Sequence, residues 1–406
     1  MKKLLAVVLA LVMIMSFAAC GTKKTESSKS DLSTLKVGLI TLHDDSSTYD
    51  KNFIDAMYRA LENLGMSKDQ LVLYTGVGED EACYNKAKEC VNQGCKVVFA
   101  DSFGHEDYLI QAAGEYPDVQ FCHATGTKAH TVNLDNFANS FASIYEGRYA
   151  AGIAAGMKIN EMIEAGKITA EQALMGYVGA YTYAEVMSGY TSFYLGAKSV
   201  CPTVKMNVKF TGSWYDYDKE KAAAESLISD GCVLISQHAD SYGAPDACQA
   251  AKVPNISYNG STKDVGPDTY IVSSKIDWTP YFEYMINCVN EGKAIEKDWT
   301  GTVGTGSVKL LEVNDAVAAK GTQEAIDKAL ADFKAGTLKV FDTSTFTYEN
   351  GKTLESYKAD VDSDEKFEKD TEVVKDGVFE ESKYRSAPYF DVEIDGITLL
   401  DRNYGD

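Results

Sequence analysis

Basic residues are scarce in this chain. Its 406 residues carry 39 Lys and Arg against 60 Asp and Glu, a formal charge of −21. Phosphate binding needs clustered Lys and Arg, so a nucleic-acid partner is disfavoured. Long apolar runs are also missing. After residue 20 no stretch reaches the roughly 18 apolar residues of a membrane-spanning helix, so none is expected in the body of the chain. Nine cysteines and five histidines are present, but no C-x-x-C pair occurs and no Cys/His spacing fits a zinc site. Several cysteines sit in apolar runs (Cys122 in VQFCHA, Cys232 in GCVLIS), where a thiol packs as a small hydrophobe. Most are therefore expected to be free and buried. Catalytic signatures are absent too: no G-x-S-x-G, no H-E-x-x-H and no G-x-x-x-x-G-K-[ST]. Asn350-Gly351-Lys352-Thr353 lacks the upstream glycine of a phosphate loop, and abundant carboxylates assign no acid–base pair. No enzyme, no metal and no cofactor is expected.

What is present begins with an address. Met1-Lys2-Lys3 is basic, and Leu4 to Ala19 is apolar apart from Ser16, with Cys20 next. This is the pattern of a signal peptide over 1–19. Ala18-Ala19-Cys20 resembles a bacterial lipobox, with Phe17 where Leu is usual. Cys20 is thus expected to carry lipid, two acyl chains being enough for stable anchoring. Residues 20–34, polar and rich in Lys, Ser and Thr, read as a flexible tether.

From Leu35 onward, solid Val/Leu/Ile/Phe runs alternate with amphipathic segments. Strands are expected at 35–41, 70–76, 95–101 and 119–126, with helices near 51–64, 79–93 and 106–115 between them. A second series follows: helix 143–158, strand 175–180, helix 184–198, strand 204–212, helix 218–229, strand 232–236, helix 244–251, and strand 254–260. Segment 270–275 and helix 278–291 add one more unit. This repetition is the signature of βαβ units on buried parallel sheets, in two Rossmann-like halves. Residues 337–354 read as an exposed hairpin and 389–400 as a terminal strand pair.

In open α/β sheets, ligands bind outside the carboxyl ends of the strands. Those loops are densely decorated here. The first half offers Tyr49, Asp50 and Phe53; Ser102, Phe103 and Gly104; and Thr125 and Gly126. The second offers Tyr181 and Glu185; Trp214 and Asp216; Gln237, His238 and Asp240; Asn259; and Trp278. Aromatic faces beside acids and amides suit a flat polar ligand, because rings stack and acids accept N–H or O–H donors. Seventeen residues are thus candidate ligand contacts.

At these loops the sequence resembles the BMP family (basic membrane protein, purine-nucleoside-binding type) of solute-binding lipoproteins of ABC transporters, over about residues 35–355. Asp50-Lys51-Asn52-Phe53 resembles that family's D-K-S-F-N, with Ile54 in place of the last Asn. FADSFG (99–104), HATG (123–126), EGRYAAG (146–152), SWYDYD (213–218), SQHADS (236–241) and WTPYF (278–282) are similar, in order, to segments of one branch. Asn259 stands where the family has an acid. The Gly and Ala of EGRYAAGIAAGMK recur at helical spacing, which permits close packing, and Tyr149 reads as core.

The resemblance implies a type I periplasmic-binding-protein fold, with two doubly wound lobes joined by three crossovers. Lobe 1 is expected over 35–130 plus 261–300 and lobe 2 over 131–260 plus 301–345, followed by an acidic C-terminal extension, 346–406. It also implies a purine nucleoside or nucleobase ligand held by hinge closure. The partners would be an ABC permease and ATPase, with a monomer lipid-anchored on the outer face of the cell membrane. Two other readings remain open: a ligand-sensing receptor component of the same fold, and a surface nucleoside hydrolase.

Overall fold

The structure, a computed structural model, describes residues 32–361, 366 and 368–402. The signal peptide, Cys20 and the tether up to residue 31 lie outside these. The folded body begins slightly before the expected end of the tether. Leu32–Thr34 form a 3-10 turn, and Gln70 donates to the carbonyls of Leu32 and Leu35 (2.7 and 2.6 Å).

The first series of elements is β1 (Lys36–Ile40), α1 (Thr48–Asn63), β2 (Leu71–Tyr74), α2 (Glu81–Asn92), β3 (Cys95–Ala100), α3 (Glu106–Glu115), β4 (Gln120–Ala124) and β5 (Phe137–Ala142). The second is α4 (Ile144–Glu164), β6 (Leu174–Gly179), α5 (Ala184–Val200), β7 (Lys205–Phe210), α6 (Tyr217–Ser229), β8 (Leu234–His238), α7 (Gly243–Ala251), β9 (Asn255–Tyr258) and β10 (Tyr270–Ile276). Then come α8 (Thr279–Glu291), β11 (Asp298–Gly301), β12 (Val308–Leu310) and α9 (Thr322–Lys334).

Two sheets result. One has the order β11-β5-β4-β3-β1-β2 and is parallel throughout. The other has the order β12-β10-β9-β8-β6-β7 and ends on a strand at Ile397–Leu399; within it only β12 runs antiparallel. The chain passes between sheets after β5, after β10 and after β11, which makes three crossovers. Sheet membership moves the expected lobe boundaries. Residues 137–142 belong to the first sheet, not to lobe 2, and 270–276 belong to the second, not to lobe 1. The strand FANSFA escaped notice because of its polar centre. Its Asn139 is nonetheless fully buried, donating to the buried Glu106 (2.9 Å).

The small residues of EGRYAAGIAAGMK do bring helices together. A Cβ on Gly152 or Gly156 of α4 would collide with backbone of α5, and one on Gly196 of α5 with the carbonyl of Tyr149. Tyr149 packs edge-on to Phe333 (5.9 Å), away from the strand-end loops. The eight cysteines of the body are all buried and none is in a disulfide.

Past residue 337 the expectations of a hairpin and a strand pair fail. Tyr348 and Lys352 bridge one tight turn, and a single strand, Ile397–Leu399, lies parallel to β7. The reason is burial. Phe341 stacks on Phe390 (4.3 Å), Phe379 lies edge-on to Phe390 (4.8 Å), and Phe346, Leu354, Val373 and Ile394 are buried around them. The extension is therefore part of the core. It touches both lobes: Ser386 donates to Asp298 of β11 (3.0 Å), and Glu381 accepts from Ser188 of α5 (2.6 Å).

Candidate functional site

The carboxyl ends of both parallel sheets face one cleft. Across it Thr48 donates, through its N–H and its hydroxyl, to the carbonyl of Asp240 (3.1 and 3.2 Å), and Asn52 donates to Asn259 (2.9 Å). His43 packs against Tyr215 (5.4 Å) and Phe103 against Tyr183 (5.4 Å). Between these contacts lies a narrow space that opens partly to solvent. Leu42, His43, Tyr49, Asp50, Ser102, Phe103 and Thr125 line it from lobe 1, and Glu185, Trp214, His238, Asp240 and Tyr258 from lobe 2.

The lobe 1 wall is largely self-satisfied. Ser47 caps α1, accepting from the Asp50 N–H (3.2 Å) and donating to its carboxylate (2.6 Å). The His43 N–H (2.7 Å) and ring (3.3 Å) also meet that carboxylate. Burial works against its charge, but the bonds from His43 and Ser47 prevail and hold the Asp50 carboxyl below the usual range. Burial, with Asp50 alongside, pushes the Asp101 carboxyl well up. The Tyr49 hydroxyl donates to the Asp101 carbonyl (2.8 Å) and the Ser102 hydroxyl to Glu79 (2.6 Å). Thr125 adopts φ 65, the left-handed region that a β-branched residue resists, and turns its hydroxyl to the carbonyl of Ala124 (2.5 Å).

The lobe 2 wall leaves groups open. The Asp240 backbone is pinned by the Trp214 carbonyl (3.0 Å) and by Thr48. Its buried carboxyl, which has Asn259 beside it, is pushed well above the usual range by burial and by the Asp50, Glu220 and Glu185 charges. The Tyr258 hydroxyl is buried and has no partner among the described residues. His238 bonds Glu185 (3.4 Å) and lies over Tyr258 (4.6 Å); burial lowers its pKa, so the ring is neutral. A Cβ on Gly189 would strike the other ring nitrogen, so that glycine makes the room His238 occupies. Trp214 stands edge-on to Tyr181 (5.0 Å), and Tyr181 stacks on Tyr183 (5.1 Å). Together with Phe103 these rings form an aromatic bank at one side of the space.

Nine of the seventeen candidates thus line the space: Tyr49, Asp50, Ser102, Phe103, Thr125, Glu185, Trp214, His238 and Asp240. The others sit elsewhere. Phe53 and Trp278 stack on each other (4.3 Å) inside the core, where burying two large rings outweighs exposing them to a ligand. Asp216 caps α6 through the Lys219 N–H (3.0 Å). Gln237 is buried, with its amide turned to the carbonyls of Ala239 and Ser241 (3.5 and 3.3 Å). The Gly104 N–H binds Glu79 (2.7 Å), and Gly126 fits where a side chain would strike Asn139, Glu106 and His123. Tyr181 supports Trp214 from behind, and Asn259, at φ 61, serves the latch to Asn52. Leu42, His43 and Tyr258 were not among the candidates. Tyr258 closes the strand Asn255–Tyr258, directly before the candidate Asn259. Among the described residues no cluster of three or more His, Cys, Asp or Glu gathers as a metal would require, and no helix is long and apolar enough to cross a membrane.

Two doubly wound lobes, three crossovers and a shared cleft define a substrate-binding protein of the type I periplasmic-binding-protein fold. A solved ABC-transporter solute-binding protein from Conexibacter woesei shares that fold, with a TM-score of 0.60 at 19% identity over 75% of this chain and 98% of its own. The chain belongs to the Bmp family, ABC transporter substrate-binding protein PnrA-like, which matches residues 37–335. A Brucella abortus protein named purine-binding is 31% identical over 76% of this chain and 83% of its own length. A Haloferax volcanii protein provisionally named for glucose binding in an ABC transporter is 31% identical over 62% of each chain. The family is one of extracytoplasmic substrate-binding proteins that work with ABC permeases, not of enzymes.

Proposed function

We infer that the protein captures a purine nucleoside or nucleobase for an ABC importer, held to the outer face of the membrane through lipid on Cys20. The observation that carries this reading is the pairing, in one interlobe space, of an aromatic bank with open acceptors and a donor. Trp214 offers a face for a flat ring, while Asp240, Glu185 and Tyr258 offer hydrogen bonds at its edge. The relative named for purine binding supports the ligand class. The lipobox-like Ala18-Ala19-Cys20 supports the anchor.

Closure follows from the same geometry. The Thr48–Asp240 and Asn52–Asn259 bonds exist only when the lobes meet, and a ligand touching both walls adds contacts that an open form lacks. The test is a thermal-shift and calorimetric panel of inosine, guanosine, adenosine, adenine, ribose and glucose. A ligand at 100 times its Kd adds about 2.7 kcal/mol of stability. A purine in the panel should raise Tm and bind with a micromolar or lower Kd. Stabilisation by glucose or ribose alone overturns the purine reading.

A further inference from the structure

A buried cation stands directly behind the candidate site. Arg148, from the EGRYAAG segment, is fully buried, and no carboxylate lies within ion-pair distance of it among the described residues. One terminal nitrogen donates to the Gln237 carbonyl (2.8 Å) and to the Tyr177 hydroxyl. The other, and Nε, have no partner. Instead the guanidinium is packed among rings, 4.7 Å from the centre of Tyr258, 5.1 Å from Tyr177 and 5.7 Å from Phe193. A buried charge without a counter-ion costs several kcal/mol, which core packing alone does not repay. This one lies against the ring of Tyr258, a residue that lines the cleft and whose buried hydroxyl has no partner among the described residues.

The geometry points to Tyr258 as a ligand-reading hydrogen-bond donor and to Arg148 as the positioning residue that holds and polarises it. A cation on the ring face draws electron density from the phenol, so its O–H becomes a stronger donor. The Tyr258 ring also packs against His238 (4.6 Å), which Glu185 and the gap at Gly189 hold in place. The guanidinium and the imidazole both pack on the ring and fix its position. Asp240 lines the same space. The ligand edge read here must therefore present an acceptor to Tyr258 beside a polar group for Asp240. In a purine that acceptor is a ring nitrogen or a ring carbonyl oxygen. This inference rests on the purine reading above and deepens it.

The test is a double-mutant cycle of Tyr258→Phe and Arg148→Met in the full chain, titrated with inosine, guanosine, adenosine and adenine, with Tm measured without ligand. Tyr258→Phe should keep its Tm and lose about tenfold or more in affinity for the best-bound purine. Arg148→Met should cost about fivefold in the wild-type background and under about twofold in the Tyr258→Phe background, because its effect passes through the hydroxyl. Equal losses in both backgrounds overturn the role of Arg148. If Arg148→Met does not fold, Arg148→Lys, which keeps the cation, should bind within about twofold of wild type; a loss of about fivefold or more that persists in the Tyr258→Phe background overturns the role of Arg148. Wild-type protein that binds inosine while Tyr258→Phe binds it equally well overturns the role of Tyr258 and leaves the purine reading intact. Wild-type protein that ignores all four probes overturns that reading and this inference together.

Discussion

The two walls of the cleft are built from similar residues and spend them differently. On lobe 1 the Asp50 carboxylate takes bonds from Ser47 and His43, Tyr49 is tied to Asp101, Ser102 to Glu79, and Thr125 to its own preceding carbonyl. On lobe 2 the buried Tyr258 hydroxyl has no partner and the Asp240 carboxyl is pushed well above its usual range. A satisfied wall gains little from a new hydrogen bond, whereas an unsatisfied buried one recovers its desolvation cost when a ligand arrives. The difference predicts an order of events, with the ligand docking on lobe 2 before lobe 1 closes over it.

The largest expected effect is at the aromatic bank of lobe 2. Trp214→Ala should weaken purine binding by about 1–3 kcal/mol, the range of base–aromatic stacking; an affinity within twofold of wild type, by calorimetry, would remove Trp214 from the site. Next is Asp240→Asn, which keeps the shape and alters the acceptor. It should weaken binding about tenfold with little change in the Tm of the empty protein, since an amide presents the ligand a different donor and acceptor set and a lost hydrogen bond costs about 0.5–1.5 kcal/mol. Its lobe 1 counterpart, Asp50→Asn, should reverse that pattern. Affinity should stay within about threefold while stability falls by roughly 1–2 kcal/mol, the worth of a helix-capping interaction. A large loss of affinity with unchanged Tm would erase the contrast between the walls.

The smallest effect separates the walls by pH. Asp50 titrates low when folded, so its stabilisation is present above its unfolded value near 3.8 and lost as pH falls through the folded value below that. Glu220 of α6 lies under the Asp240 loop, where it accepts from the Ser241 N–H (3.2 Å), and burial pushes its carboxyl up to about 7. Its sign is the opposite. Its contribution is full below the ordinary value near 4.5 and is lost as pH rises through about 7. Tm measured from pH 5 to 8 should therefore decline, and Glu220→Gln should flatten the decline without abolishing it, because Glu146 and Glu381 are also raised to about 7. An unchanged slope in Glu220→Gln would show that its proton is not coupled to folding.

The alternation of strands and helices was legible because buried parallel strands read as solid apolar runs: LKVGLIT, CKVVFA and VQFCHA are all strands of the first sheet. What escaped depended on partners far away in sequence. FANSFA looks too polar for a central strand until Glu106 meets Asn139, and the aromatic residues past 340 look exposed until Phe341, Phe379 and Phe390 are seen to cluster. The same limit applies at the cleft. Trp214 and Trp278 both follow strand ends, and nothing local says that one faces the space while the other stacks on Phe53. Nor does sequence show which acids are already spent: Asp50 and Asp240 differ by their neighbours, not by their type.

The order of events is open to one kinetic experiment. Asn52→Ala removes a bond that joins the lobes (2.9 Å to Asn259) without touching any residue that lines the space. Stopped-flow fluorescence with inosine reports both rates, Trp214 being the tryptophan on the cleft. If the ligand docks on lobe 2 before lobe 1 closes, the association rate should stay within about twofold of wild type. The dissociation rate should rise about two- to tenfold, the equivalent of one lost hydrogen bond of about 0.5–1.5 kcal/mol. A slowed association with an unchanged dissociation rate would mean that the lobes must meet first, and would contradict docking on lobe 2.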